Sequence, residues 1–177
     1  MTVSGSESPD RATQDLRAWK VAVKRGEARA FQERVLSAAD SKAAQVLVLR
    51  ADLVFGLAHI RSALYHARKA MSEGRNSSEM LSMETLLYAS GERQLSSAIK
   101  KMSADDNVEE VVVAWLSTGG PRPEIGWRDL EEGYTGSDSV SRLRAFGISG
   151  SELSTTRQDR VCELVLEKIA AVDVIRK

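Results

Sequence analysis

His59 and His66 are the only histidines in the chain and stand seven residues apart, which places them on one face of a helix. Cys162 is the only cysteine. A zinc site wants three or four Cys, His or carboxylate ligands, and no H-E-x-x-H pair or Cys/His cluster supplies them. No metal site is therefore assigned. His59 reads as a core or capping histidine and His66 as a solvated or interface residue. Signatures of an activated Ser or Cys nucleophile are missing as well. Gly119-Gly120-Pro121 is a turn, without the Gly-Lys-Ser/Thr that completes a phosphate loop. Glu131 and Glu132 are adjacent, so they diverge on a helix or a strand and cannot share one proton-transfer site. No catalytic residue and no cofactor is assigned, and the chain is not read as an enzyme.

Anion binding is the chemistry the residues do support. Arg61, Tyr65, Arg68 and Ser72 fall on one face of a helical pattern with Lys69 beside them, and Gly74-Arg75-Asn76 follows. Arg75 and Arg93 stand at opposite ends of a short helical stretch. Guanidinium groups offer several fixed donors that suit phosphate oxygens. Single-stranded RNA is held by such donors together with stacking or apolar platforms. Asn76 and the neighbouring serines, Ser82 among them, have the groups to meet base edges or ribose hydroxyls. A solvated basic face accounts for the same residues, and Asn76 and Ser82 serve equally well as helix caps.

Composition is that of a globular chain: 177 residues, 42% hydrophobic and 28% charged, with 25 basic residues balanced by 25 acidic. Zero net charge argues against non-specific coating of nucleic acid. The charge is unevenly spread. Residues 50–101 hold eight Lys or Arg against five Asp or Glu, whereas residues 102–134 hold two against eight. Only the first segment suits an anionic partner. No apolar run approaches the roughly 18 residues of a membrane span, and no apolar signal core opens the chain, so a cytoplasmic protein is expected. A lone cysteine excludes an intrachain disulfide and fits a reducing compartment.

Residues 1–15 are polar and are expected to form a disordered tail. Residues 16–177 then form a single domain. Residues 20–24 alternate as a half-buried strand, residues 28–39 read as a helix, and residues 46–49 as an interior strand. Asp52 or a neighbour starts the longest helix, over residues 54–72, with Gly56, Ala63, Ala67 and Ala70 as a small-residue surface. Asn76 and Glu79 resemble a capping pair ahead of a short helix over residues 80–89. Gly91 turns the chain, and a second short helix begins at Leu95, with Arg93, Ser97, Lys100 and Lys101 toward solvent. Residues 111–116 are the clearest strand. A short element near residues 127–130, a helix over residues 139–146 and a last helix over residues 156–172 complete the pattern. The fold class is α/β, a small mixed sheet of three to five strands packed by several helices.

Residues 74–95 carry a more specific message. They read G-R-N, a serine, then L-S-x-E-x-L-x-Y-x-S-G-x-R-Q-L. Upstream lie Phe55-Gly56-Leu57-Ala58-His59-Ile60 and then Ala63, Ala67 and Ala70. This region, about a quarter of the chain, resembles the kinase-binding subunit of the KEOPS complex, which makes threonylcarbamoyladenosine in tRNA. Leu95 stands where that family usually has Ile.

The resemblance implies a non-catalytic subunit that binds the kinase-like ATPase of KEOPS and, through it, meets the remaining subunits indirectly. In archaeal members it further implies recognition of the single-stranded 3′ CCA end of tRNA. Arg75, Asn76, Ser82, Glu84 and Arg93 fall in the motif. On this reading Arg75 and Arg93, assisted by Arg68 and Lys69, meet the RNA backbone, while Asn76 and Ser82 bond base or ribose groups. Glu84 is structural unless it pairs with Arg93 or binds a base amino group. Met80, Met83 and Tyr88 are the candidate stacking platforms. The small-residue side of the long helix and part of the last helix are the expected kinase-facing surface, within an exposed apolar patch. A protein-only regulator of the kinase-like subunit, without tRNA binding, is the alternative.

Overall fold

The computed structural model describes residues 16–39, 45–116, 128–131, 140–157 and 160–175. The expected tail over residues 1–15 lies outside them, as does the Gly119-Gly120-Pro121 turn. In chain order the elements are β1 (Arg17–Ala22), α1 (Ala28–Ala38), β2 (Val46–Arg50), a 3₁₀ turn (Ala51–Leu53), α2 (Leu57–Ser72), α3 (Leu81–Ser90), α4 (Leu95–Met102), β3 (Glu110–Trp115), β4 (Arg128–Asp129), α5 (Val140–Phe146), α6 (Gly150–Thr155) and α7 (Val161–Ile175). The α/β class expected from the sequence is the class observed.

Among the described residues four strands form one sheet in the order β2-β3-β1-β4. All its pairings are antiparallel, so the sheet is not mixed in strand direction. Both faces are covered. Ala18, Leu47, Leu49, Val112 and Ala114 point toward α2, α3 and α7, whereas Trp19, Val21, Val46, Val48, Val111 and Val113 pack with Ala28, Phe31 and Val35 of α1. Alternate residues of a strand face opposite ways, so a strand covered on both sides must be apolar throughout. This is why Val46-Leu47-Val48-Leu49 shows no alternation.

The long helix starts later than Asp52. Gly56 precedes it with φ 85°, a left-handed backbone that L side chains rarely adopt. The chain before it makes the 3₁₀ turn instead. Arg142 of α5 clamps that turn: Nε donates to the Asp52 carbonyl at 2.6 Å, and Nη2 donates to the Ala51 and Val54 carbonyls at 3.1 and 3.2 Å.

Helix α3 sits at the centre, against α2, α4, α7 and β2. Its residues Glu84 to Ser90 are all buried, so the helix shows no polar face. Ala63, Ala67 and Ala70 of α2 are also wholly buried, which corrects their reading as a kinase-facing surface. Small side chains there let α2 and α3 approach closely. The apolar stripe of α7 is likewise spent on the core, with Val165, Ile169 and Val172 buried.

Candidate functional site

The turn between α2 and α3 is built by hydrogen bonds that reach in from three directions. Arg75 N donates back to the Ala70 carbonyl at 2.8 Å, closing α2. The Glu84 carboxylate, wholly buried in α3, accepts the N–H groups of Ser77 and Ser78 at 2.9 and 3.0 Å. Glu84 therefore has the structural role, and the capping carboxylate is not Glu79. Asn76 Nδ2 donates to the Ser78 carbonyl at 3.0 Å. Ser78 Oγ accepts the Met80 N–H at 3.2 Å.

Arg75 is held by two carboxylates. Its Nε and Nη2 donate to Glu73 Oε2, and Nη1 donates to Asp173 Oδ1 of α7 at 3.3 Å. A guanidinium has five N–H donors; three are engaged and two remain for an outside acceptor. The hydrogen bond to Glu73, ahead of that to Asp173, raises the Arg75 pKa above its already high value.

Asp173 also receives the Tyr88 hydroxyl at 2.6 Å and pairs with His66 Nδ1 at 2.7 Å. The His66 ring stacks on Tyr88 with centroids 5.6 Å apart. Burial alone raises the Asp173 carboxyl, but hydrogen bonds from Tyr88, His66 and Arg75 outweigh it and hold the group below the ordinary carboxylate range. His66 is thus an internal contact and not a solvated residue.

The six residues singled out from the sequence separate into groups. Arg68, Lys69, Arg75 and Asn76 lie at the junction of α2 and its following turn. Lys69 is exposed, while Arg68 is half-buried and reaches the Leu116 carbonyl at 3.5 Å. Arg93 is exposed but lies beyond the far end of α3, a ten-residue helix about 15 Å long. Ser82 is buried, and its N–H donates to Gln45 Oε1 at 2.6 Å. Its hydroxyl is not presented to a ligand. Of the candidate platforms, Tyr88 is wholly buried and Met83 packs on the core, which leaves Met80 at 55% exposed.

Two buried polar constructions support the site. His59 Nδ1 accepts the Phe55 N–H at 3.1 Å, and its Nε2–H donates to the Ala89 carbonyl at 2.7 Å. This fixes the tautomer and ties the start of α2 to the end of α3. Burial pushes the His59 imidazole down to about 4, and the charge of Lys101 adds to that against the Ala89 carbonyl. Lys101, expected at the surface, instead directs Nζ to the Ser90 and Phe146 carbonyls, each at 2.6 Å, and to Glu92 at 3.0 Å. All three ammonium donors are used. Gly91, between these partners, has φ 66°.

Among the described residues no three His, Cys, Asp or Glu side chains gather as metal ligands, and no helix is long and apolar enough to cross a membrane. Large exposed apolar side chains are Leu36 on α1, Ile99 on α4, Val140 on α5 and Val174 on α7, besides Met80 on the turn. Ile99 lines an open cleft with Arg29, Gln32 and Glu33 of α1 and Asp105.

A family profile described as kinase binding protein CGI-121 matches residues 26–146. The chain belongs to that family. The match runs from the turn before α1 through α5 and covers the α2–α3 turn with both flanking helices. It is the kinase-binding family to which residues 74–95 point. Strand β1 and helix α7, with Asp173, stand outside the matched span. A comparison with curated proteins gave no match.

Proposed function

We propose that this CGI-121-family chain is a non-catalytic, cytoplasmic subunit of a tRNA-modifying KEOPS assembly. It binds the kinase-like ATPase and brings in tRNA by its single-stranded 3′ CCA end. The supporting observation is the α2–α3 turn. There Arg75 keeps two N–H donors for an outside acceptor, and Met80 of the same turn stands exposed. A methionine side chain is an adaptable apolar surface for a base.

Glu73 and Asp173 offset the charge of Arg75. Long-range attraction for phosphate therefore falls to the exposed Lys69 and Arg93, while Arg75 contributes directed hydrogen bonds. Asn76 completes the turn through its amide N–H, and its amide oxygen is the group it offers to a base or ribose. Ser82 acts only by fixing the start of α3. The kinase-like ATPase is met by helix-borne apolar residues, with Ile99 and Leu36 as the leading anchors.

The test is binding of full-length tRNA beside the same tRNA trimmed of CCA. Loss of affinity on trimming supports 3′-end recognition. Equal affinity, or none for either RNA, turns the reading to a protein-only regulator of the kinase-like subunit. The carboxylates around Arg75 are what favour that second reading.

A further inference from the structure

We propose that Asp173 is a positioning residue for Arg75, through which the last helix sets the pose of the α2–α3 turn. The proposal rests on Arg75 being an RNA-contacting group. Asp173 comes from α7, outside the family-matched span, so residues 74–95 alone do not contain it.

The geometry separates this role from simple stabilisation. The Asp173 side chain is 17% exposed, and a carboxylate so placed needs donors. Tyr88 and His66, both on helices of the core, already supply one to each oxygen. Arg75 is a third donor, and it comes from the turn. It shares Oδ1 with Tyr88, while Oδ2 stays on His66. The backbone of Arg75 is tied to α2 through Ala70. Its side chain is tied to α7 through Asp173 and to its own turn through Glu73.

A free arginine side chain samples many rotamers and must lose that freedom on binding. Two carboxylates, one at Nε and Nη2 and one at Nη1, remove it beforehand and leave two N–H groups, one on each Nη, for an outside acceptor. The same carboxylates also oppose an incoming phosphate by their charge. Positioning and charge competition therefore predict opposite effects of neutralising Asp173.

The experiment compares the full chain with Asp173→Asn, Arg75→Ala, the double variant, and Tyr88→Phe. Two quantities are measured: the Arg75 side-chain Nη1–H resonance, the group that meets Asp173, with its exchange rate, and affinity for full-length tRNA. Asp173→Asn should speed exchange of the Arg75 Nη1 protons, the donors to Asp173, severalfold and weaken tRNA binding roughly 3- to 10-fold. Added to Arg75→Ala it should weaken binding no further. Tyr88→Phe lowers the melting temperature while leaving the Arg75–Asp173 ion pair and the Arg75 signal in place.

An unchanged Arg75 signal in Asp173→Asn overturns the proposal. So do tighter tRNA binding by that variant and losses that multiply in the double variant. If the wild-type chain binds no tRNA, the RNA reading fails, and the Arg75 resonance still decides whether Asp173 controls the turn.

Discussion

The buried Glu84 carboxylate accepts the Ser78 N–H at 3.0 Å from the first turn of α3, using the same oxygen that accepts from Ser77. The turn is thus held from within the core as well as by its own Asn76 and Ser78 side chains. Glu84→Ala leaves two N–H groups without this acceptor and should cost about 2–4 kcal/mol. Glu84→Gln keeps an oxygen in place and should cost less. Thermal unfolding gives the stabilities, and hydrogen exchange at the Ser77 and Ser78 amides should accelerate in the Ala variant. Slow exchange there despite the loss would show that Glu84 does not order the turn.

His59 gives the protein an acid-side limit. Its folded-state pKa of about 4 lies below its ordinary 6.5, so the unfolded chain binds a proton between these values and the native state does not. Stability from this group is complete above pH 6.5 and falls as pH drops, by about 2 kcal/mol at pH 5. Protonation also removes the Nδ1 acceptor from Phe55 N. Denaturant unfolding of the wild type should show this fall. The His59→Asn variant, less stable throughout, should lack it between pH 6.5 and 5.

Lys101 joins α4 to the Ser90 and Phe146 carbonyls and lies 4.4 Å from the Phe146 ring centroid. Lys101→Met fits the stem but strands two carbonyls and Glu92. It should cost about 2–4 kcal/mol, whereas Lys100→Met, at an exposed position, should change stability by no more than about 0.5 kcal/mol. Equal effects in urea unfolding would remove Lys101 from the list of structural residues.

Lys69 and Arg93 are separated by α3, so a strand that meets both must run along the molecule. If each neutralises one phosphate, Lys69→Ala and Arg93→Ala should each flatten the salt dependence of tRNA binding by about 0.7 in log K against log salt. Binding measured at several salt concentrations checks this. A slope unchanged in Arg93→Ala would confine the RNA to the α2–α3 turn.

Local pattern revealed most helices and the main strands, because apolar spacing and β-branched runs are local properties. Helix α4 begins at Leu95 as its spacing requires, and Gly91 turns the chain in the left-handed region. The errors lie where partners are distant in sequence. Lys101 has the composition of a surface lysine, and nothing near it announces that Phe146 supplies a carbonyl. Glu79 has capping spacing from Asn76, yet Glu84 takes the turn because its helix points the carboxylate back at Ser77 and Ser78. Helix α6 was too short for a periodic signal, although Ser149 and Glu152 form a reciprocal cap at its start. The motif identified the turn, but the contact between Arg75 and Asp173 spans 98 positions and could be read only from the fold.

The strand order carries a consequence for synthesis. Among the described residues β1 pairs with β3 and β4, and β2 forms its ladder with β3, besides a single bridge from Leu49 to Ser103. Arg17 thus waits for Trp115, and Val46 for the same residue. A nascent chain leaving the ribosome has made two strands whose ladder partner β3 has yet to emerge. The sheet therefore assembles late and around its third strand, with closure of long loops preceding any ladder.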